Sequence, residues 1–334
     1  MATIKEIAKL AECSIGTVSR VLNFDDSLRV TDEKKQMILK IAEDLQYKTV
    51  QQRNKKDIIK VAVVSMYTKV EEIEDPFYLS IRLGVEKRVQ TEKIELIILN
   101  DVDGSYDYSK ISGVEGIIAI GHFTKMEIKA FSDITNKIVF VNSDPDNKKY
   151  NSVLFDGENA VEEVMNYLYL NDHRNIGYIG VKSIRESKMV DLAETRYDLV
   201  KIKMQSLGIY NEENIYRGGK TFSDGYVLMK EIINEDKLPS AFFIGNDSMC
   251  IGALKALFEA GIKVPKHISL IGYNDISSAE FTSPSLTTVK VYTELMGEKA
   301  LELLIDDLRG REIPFRVITP TRLIVRDSVM KYVE

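Results

Sequence analysis

The sequence predicts an α/β protein with an all-α N-terminal headpiece and a larger two-lobed body built on doubly wound parallel sheets. Three observations carry this reading. Apolar residues recur at helical spacing over residues 3–45, residues 46–57 are polar and basic, and from Ile58 onward short apolar runs alternate with helical stretches. At 334 residues, 44% hydrophobic and 29% charged, the chain is long enough for two or three cores.

The headpiece comes first. Ile4, Ile7, Ala8 and Ala11 line one face of a first helix that Thr3 can cap. A tight turn, Ala11-Glu12-Cys13-Ser14, leads to a second helix capped by Ser14, with Val18, Val21 and Leu22 inward. After a loop over residues 23–28, a third helix begins at Thr31, with Glu33 near its positive end and Met37, Ile38, Ile41, Ala42 and Leu45 as the inner face. Residues 46–57 crowd Lys48, Gln51, Gln52, Arg53, Asn54, Lys55 and Lys56 together and read as a linker.

The body shows seven apolar runs: 60–64, 96–99, 116–120, 138–141, 176–180, 241–244 and 268–272. Continuous apolar runs between helices mean parallel strands covered on both faces. Seven of them suggest two lobes. Ligands of such sheets sit beyond the carboxyl ends of the strands, so the residues after each run are the candidates for binding. The expected division is a headpiece at 1–46, a linker at 47–57 and a body at 58–334, with lobes of 58–156 plus 290–320 and of 157–289 plus 321–334.

Composition excludes several classes. No run of about 18 apolar residues occurs, and the N-terminus opens on an amphipathic pattern, so a cytoplasmic protein without a membrane segment is expected. Cys13 and Cys250 are too few and too far apart for a disulfide framework or a zinc site. His122, His173 and His267 are isolated, so no metal is expected and no cofactor is implied. Neither a Gly-x-x-x-x-Gly-Lys loop nor a Ser-His-Asp arrangement argues for an enzyme. Net charge is −6, but residues 1–56 hold 11 Lys and Arg against 8 Asp and Glu, leaving 34 against 43 for the remainder. A mildly basic N-terminal unit thus precedes an acidic body.

The outer face of the second helix is informative. Ser14, Ile15, Gly16, Thr17, Ser19 and Arg20 form a small hydrogen-bonding surface followed by a long bidentate donor, which suits the DNA major groove. A helix facing only water would more often carry Glu and Lys there.

Thr3 to Ala11, Ser14, Thr17-Val18-Ser19-Arg20-Val21-Leu22-Asn23, Leu45 and Tyr47 together resemble the helix-turn-helix headpiece of the lactose/galactose repressor family, galactose-operon types above all. The resemblance implies that Ile15 and Gly16 choose the operator sequence and Arg20 reads a base edge. It implies phosphate contacts for Ser14, Thr17, Ser19 and Asn23. Two departures stand out. Glu12 replaces the usual turn glycine, at about 1 kcal/mol if the backbone is left-handed. Thr49 replaces the proline that follows the tyrosine, and Lys56 stands near the place of a leucine that wedges into the minor groove. Lys48, Arg53, Lys55 and Lys56 then either add phosphate contacts or solvate the linker.

The body resembles the family's regulatory domain, which is similar to periplasmic sugar-binding proteins. Asp75, Phe77 and Tyr78 follow the first run, Asp144 the fourth, Asn246 and Asp247 the sixth, and Asn274 and Asp275 the seventh, while Arg196 lies in Glu194-Thr195-Arg196-Tyr197-Asp198. A sugar needs planar donors and acceptors for adjacent hydroxyls and an aromatic face against its C–H side. Arg196 suits paired hydroxyls, Asn246, Asn274 and Asp144 further hydroxyls, and Phe77, Tyr78 and Phe222 stacking. The aromatics have a core role as their alternative, Asp75 and Asp247 a capping role, and Asp275 the shaping of its loop. Only a short helix fits within residues 101–111, so dimer contacts in that lobe are expected to depart from the family norm.

No leucine-heptad extension follows residues 320–326, so a homodimer reading an inverted-repeat operator on double-stranded DNA is expected. The expected mechanism is a sugar effector that shifts the lobes away from the operator-binding arrangement; the opposite sign, a ligand that strengthens DNA binding, stays open. A plain sugar receptor leaves residues 3–45 without a role, and an enzyme lacks its motifs.

Overall fold

Thr3, Ser14 and Thr31 open the three headpiece helices, each in extended backbone with its hydroxyl turned onto an amide of the first turn. Thr3 and Glu6 cap α1 (Ile4–Leu10) reciprocally, Ser14 caps α2 (Ile15–Leu22) through Thr17 N, and Thr31 caps α3 (Asp32–Asp44) through Lys34 N. This computed structural model describes residues 3–23, 25, 28, 30–45, 47, 58–181, 184–185, 190–191, 195–234 and 238–333. The linker cations Lys48, Arg53, Lys55 and Lys56 lie outside the described residues.

Ile7, Val18 and Ile38, one from each helix, are fully buried and meet Ala8, Ala11, Val21, Leu22 and Ala42 in one small core. Each large side chain there contributes roughly 1.5–3 kcal/mol. Met37 departs from the expected inner face: it is 43% exposed, because Ile38 and Ala42 already fill the contact. In the turn between α1 and α2, Glu12 adopts φ 47°, so the left-handed position is kept without glycine.

The chain divides into two units, Met1–Ile58 and Ile59–Glu334. The second begins with β1 (Ile59–Ser65), α4 (Lys69–Glu74), α5 (Phe77–Val89), β2 (Ile94–Asn100), β3 (Gly116–Ile120), α6 (Lys125–Ile134), β4 (Ile138–Val141) and β5 (Asn151–Phe155). Next come α7 (Gly157–Leu170), β6 (Ile176–Val181), the short β7 (Ile184–Arg185) and β8 (Val190–Asp191), α8 (Thr195–Ser206), β9 (Ile215–Gly218), α9 (Phe222–Ile233), β10 (Ala241–Ile244), α10 (Asp247–Glu259) and β11 (Ser269–Ile271). It closes with β12 (Thr288–Val291), α11 (Thr293–Leu308), β13 (Arg316–Thr319) and β14 (Thr321–Ile324). Between β2 and β3 a single 3-10 turn, Tyr108–Ile111, stands where a full helix would fit.

Six strands form one parallel sheet in the order β13-β5-β4-β3-β1-β2, and four form a second in the order β11-β10-β6-β9. The chain passes between them after β5, along β12 and between β13 and β14, where β12 and β14 pair antiparallel. At one passage Asp156 N donates to Thr319 O (2.9 Å) and Thr321 Oγ1 donates to Asp156 O (3.1 Å).

Two helix pairs approach until their backbones touch. A Cβ on Gly84 of α5 would stand 2.0 Å from Glu294 O, and one on Gly297 of α11 would stand 2.0 Å from Ile81 O. The α9–α10 pair repeats the device with Gly225 against Met249 O and Gly252 against Phe222 O. His173 is buried, its Nδ1 at 2.9 Å from Ser240 Oγ and its Nε2 at 3.1 Å from Met330 O, and it holds the C-terminal segment on the second sheet. Among the described residues no helix is long and apolar enough to cross a membrane, and no group of three His, Cys, Asp or Glu gathers as a metal site.

Candidate DNA-reading helix and effector cleft

On α2, Ser14 Oγ accepts from Thr17 N at 3.0 Å and lies 2.9 Å from Thr17 Oγ1, so both hydroxyls are fixed at the helix start. Ile15 is 45% exposed, an apolar side chain held in water. A Cβ on Gly16 would meet only Ser14 Oγ, at 3.7 Å. Glycine costs roughly 1 kcal/mol against alanine inside a helix, and among the described residues of the headpiece nothing requires it there. At the other end, Asn23 Nδ2 donates to Ser19 O (2.9 Å) and Arg20 Nε donates to Asp25 Oδ2 (2.7 Å). Ser14, Ile15, Gly16, Arg20 and Asn23 are exposed, and Thr17 and Ser19 partly so.

In the body, several candidates converge on the strand ends. Arg196 Nη1 donates to Gly245 O (2.6 Å), and its guanidinium lies 3.8 Å from the centre of the Tyr273 ring. Lys220, between β9 and α9, places Nζ 2.7 Å from Glu71 Oε1 and 3.8 Å from the centre of the Tyr67 ring. Burial opposes the charge on Glu71, but the hydrogen bond and charge of Lys220 together with the hydrogen bonds from Thr68 outweigh it and hold the carboxyl below its ordinary range. Asp75 is buried, takes a 3.3 Å hydrogen bond from Tyr67 Oη, and has its pKa raised by that burial. Tyr78 Oη accepts from Asn142 Nδ2 at 3.0 Å. Asp144 lies 3.4 Å from Arg316 Nε, and its other oxygen is buried without a hydrogen-bond partner among the described residues.

Phe77 and Tyr78 are 8% and 7% exposed and pack edge-on, so they form the wall between core and cleft rather than an open platform. Phe222 is 38% exposed in the first turn of α9.

Three candidates are bound into the framework. Asn246 caps α10, its Oδ1 accepting from Met249 N (2.8 Å) and its Nδ2 donating to Lys220 O (2.9 Å). Asp247 is fully buried; Thr288 Oγ1 donates to one oxygen (2.6 Å) and Ile276 N to the other (2.9 Å), which leaves no face for a ligand. That corrects the expectation of effector contact, and capping falls to Asn246 instead. Burial pushes the Asp247 pKa up to about 7 against those two hydrogen bonds, with the Asp275 charge adding to the rise. Asp275, at φ 55°, pairs with Lys290 (2.9 Å) and Arg326 (2.8 Å) and shapes its loop. Burial disfavours its charge, yet those two cations hold its pKa below the usual range.

A cavity of about 680 Å³ opens between α5, the loop after β11 and the β12–α11 turn. Phe77, Asn274 and Asp275 line it with Leu79, Lys290 and Tyr292; Arg196, Asn246, Asp144 and Phe222 do not. The candidates therefore form two neighbouring groups, which the aromatic series Phe77, Phe155 and Tyr273 connects at ring spacings of 6.1 and 6.2 Å. Sequence reasoning missed Tyr67, Asn142, Lys220 and Tyr273.

Comparison with known proteins agrees with both halves. Residues 3–49 match the model of bacterial regulatory proteins of the lacI family, and residues 165–329 that of a periplasmic binding protein-like domain. The HTH-type transcriptional repressor MelR of Bacillus subtilis (strain 168) is 38% identical, covering 98% of this chain and 97% of its own length. The HTH-type transcriptional regulator GalR of Streptococcus thermophilus is 37% identical, covering 98% and 99%. In fold, the chain is similar to the Lac repressor dimer bound to operator and the anti-inducer ONPF, at TM-score 0.72 and 20% identity over 98% of this chain and 99% of that one. The CelR–cellobiose complex matches at TM-score 0.70 and 23% identity over 98% and 100%.

Proposed function

Because the chain belongs to the lacI family of bacterial regulatory proteins, and is thus a DNA-binding transcriptional regulator, we propose that it represses a sugar-utilisation operon. It does so as a homodimer on an inverted-repeat operator and leaves when a sugar binds the body. The observation that carries this reading is Gly16: an exposed helix position without a side chain, unexplained by packing, on the face that meets the groove. Ile15, Gly16 and Arg20 face base edges, while Ser14, Thr17, Ser19 and Asn23 hold phosphates and fix register. An operator target sets the protein in the compartment of the chromosome, the cytoplasm. The function is regulatory, with no catalytic step.

Residues 1–46 are the headpiece and 47–57 the linker in this reading, and 58–156 with 290–320 form one lobe and 157–289 with 321–334 the other. The effector lies where the two sheets face each other. Arg196 binds paired hydroxyls, with Asp144 and Asn274 for others, Asn246 holding the Lys220 backbone beside them, and Asp75, Phe77, Tyr78 and Phe222 shaping or flooring the site. Fold neighbours solved with cellobiose and with lactose support the sugar class.

The test is to select inverted repeats from a random duplex pool with the full chain, then to titrate the selected site with and without sugars ranked by thermal shift. A sugar that raises the melting temperature must weaken operator binding, and operator must weaken sugar binding by the same factor. Equal affinity for selected and scrambled duplex overturns the function; a sugar that tightens operator binding overturns the sign.

A further inference from the structure

Asn274 and Asp275 are chain neighbours with opposite attachments. They adopt φ 109° and φ 55°, two left-handed positions in succession without a glycine, a strained backbone of the kind that marks sites of function. Asn274 lines the cavity of about 680 Å³, and among the described residues its side-chain amide makes no hydrogen bond. Asp275 is held on both oxygens. Oδ2 accepts from Lys290 Nζ at 2.9 Å and Oδ1 from Arg326 Nη2 at 2.8 Å, and the carboxylate is only 10% exposed.

Lys290 lies in β12 and Arg326 two residues beyond β14, the antiparallel pair along which the chain passes between the two sheets. The loop is stapled to the same segments through its backbone. Asn274 N donates to Val289 O (2.9 Å), while Arg326 Nη1 donates to Leu286 O (2.8 Å) and Arg326 N to Thr287 Oγ1 (2.9 Å). One carboxylate therefore ties both crossing segments to the loop that presents Asn274. Charge-assisted bonds to two separate oxygens fix its direction, so the loop and the crossing segments move together.

We propose that Asp275 is the positioning residue that couples the effector site to the crossing strands: a sugar hydroxyl engaging Asn274 shifts the backbone of residues 274–275, and the Lys290–Asp275–Arg326 clasp carries that shift into the angle between the two sheets. The inference rests on the sugar-regulated operator binding proposed above. Asp275 thus sets how strongly the sugar acts on DNA binding rather than how tightly either partner is bound.

The experiment compares the full chain with Asp275→Asn, Lys290→Met and the double variant, with galactose, lactose and cellobiose as probes. Asparagine tolerates the left-handed backbone, and Lys290→Met leaves the Arg326 arm in place, so a failure of one variant to fold leaves the other to decide. Affinity for the selected inverted repeat is titrated with and without the sugar that most raises the melting temperature. We expect the ratio of the two affinities to contract toward one by about fivefold in each single variant. The double variant contracts it no further, because both changes open the same clasp. A lowered melting temperature with the ratio intact assigns the triad to stability alone and overturns the inference. So do effects of the two substitutions that multiply. If the unaltered chain gives a ratio of one with all three sugars, the sugar-regulated function falls and this inference with it; the two failures are told apart by that first arm.

Discussion

Lys220 Nζ lies 2.7 Å from Glu71 Oε1, and because Glu71 stands on α4 beside the six-stranded sheet while Lys220 follows β9 of the four-stranded one, the ion pair joins the two sheets at the cleft. Ser248 Oγ adds a second link, donating to Glu74 O at 3.0 Å. A double-mutant cycle of Lys220→Met and Glu71→Gln, followed by chemical unfolding, should give a coupling of about 0.5–1 kcal/mol for this partly exposed pair. The same variants should bind effector more weakly, as the cleft loses a contact between its two sides. Unchanged effector affinity in both would show that the pair takes no part in effector binding.

Arg196→Ala should abolish most of the ligand-induced rise in melting temperature while leaving the ligand-free value within about 2 °C. Its guanidinium spans Gly245 O and the Tyr273 ring, so its loss removes a planar fork from that strand end. Arg196→Lys should restore little, because an ammonium cannot reproduce two parallel donors. A full thermal shift in either variant would place the sugar elsewhere.

Gly16→Ala separates the needs of the helix from those of DNA. Alanine gains up to about 1 kcal/mol in helix propensity and meets no obstruction in the headpiece, so amide exchange in α2 should slow. Operator affinity should nevertheless fall at least about tenfold as the new methyl enters the groove contact. Tighter binding to the same operator would show that this position does not approach the bases.

Arg20→Ala should cost about 1–3 kcal/mol at a single base pair per half-site, measured by titrating a set of singly substituted operators. An equal loss on random duplex would assign Arg20 to the phosphates.

Asp247 supplies a pH prediction. Its folded pKa, raised to about 7, lies above the unfolded carboxyl value near 4, so the native state holds the extra proton between those limits. Its contribution to stability is therefore complete below about pH 4 and is lost as pH rises toward 7. His173, whose pKa burial lowers, has the opposite slope, so the difference between Asp247→Asn and the unaltered chain isolates the carboxyl. Melting temperatures from pH 5 to 8 should show Asp247→Asn gaining relative to the parent as pH rises. A constant difference would mean that Asp247 stays ionised.

What was legible in the sequence was what short-range physics controls. Thr3, Ser14 and Thr31 announced their helices because a cap needs only a hydroxyl at one place, and runs such as Gly116–Ile120 announced buried strands because both faces must be apolar. Strands β5 and β9 stayed hidden: Asn151-Ser152 and Arg217 interrupt the apolar pattern, and pairing with neighbours far along the chain decides their state. The same blind spot concealed Lys220, which follows β9. Tyr67 and Tyr273 sit just past strands that were visible, but an aromatic there reads as core until a cation is seen over its ring. Asn246 and Asp247 read as site residues in the sequence, and only the fold shows that Met249 N and Lys220 O hold the first while Thr288 and Ile276 enclose the second.

At the glycine contacts of α5 with α11 and of α9 with α10 the paired backbones touch directly, which holds the helix spacing fixed. Each lobe must then respond to a guest as a stiff plate. Any change of angle between the two sheets must then be taken up in the three chain passages near Asp156, Val291 and Pro320, where the connection is thinnest.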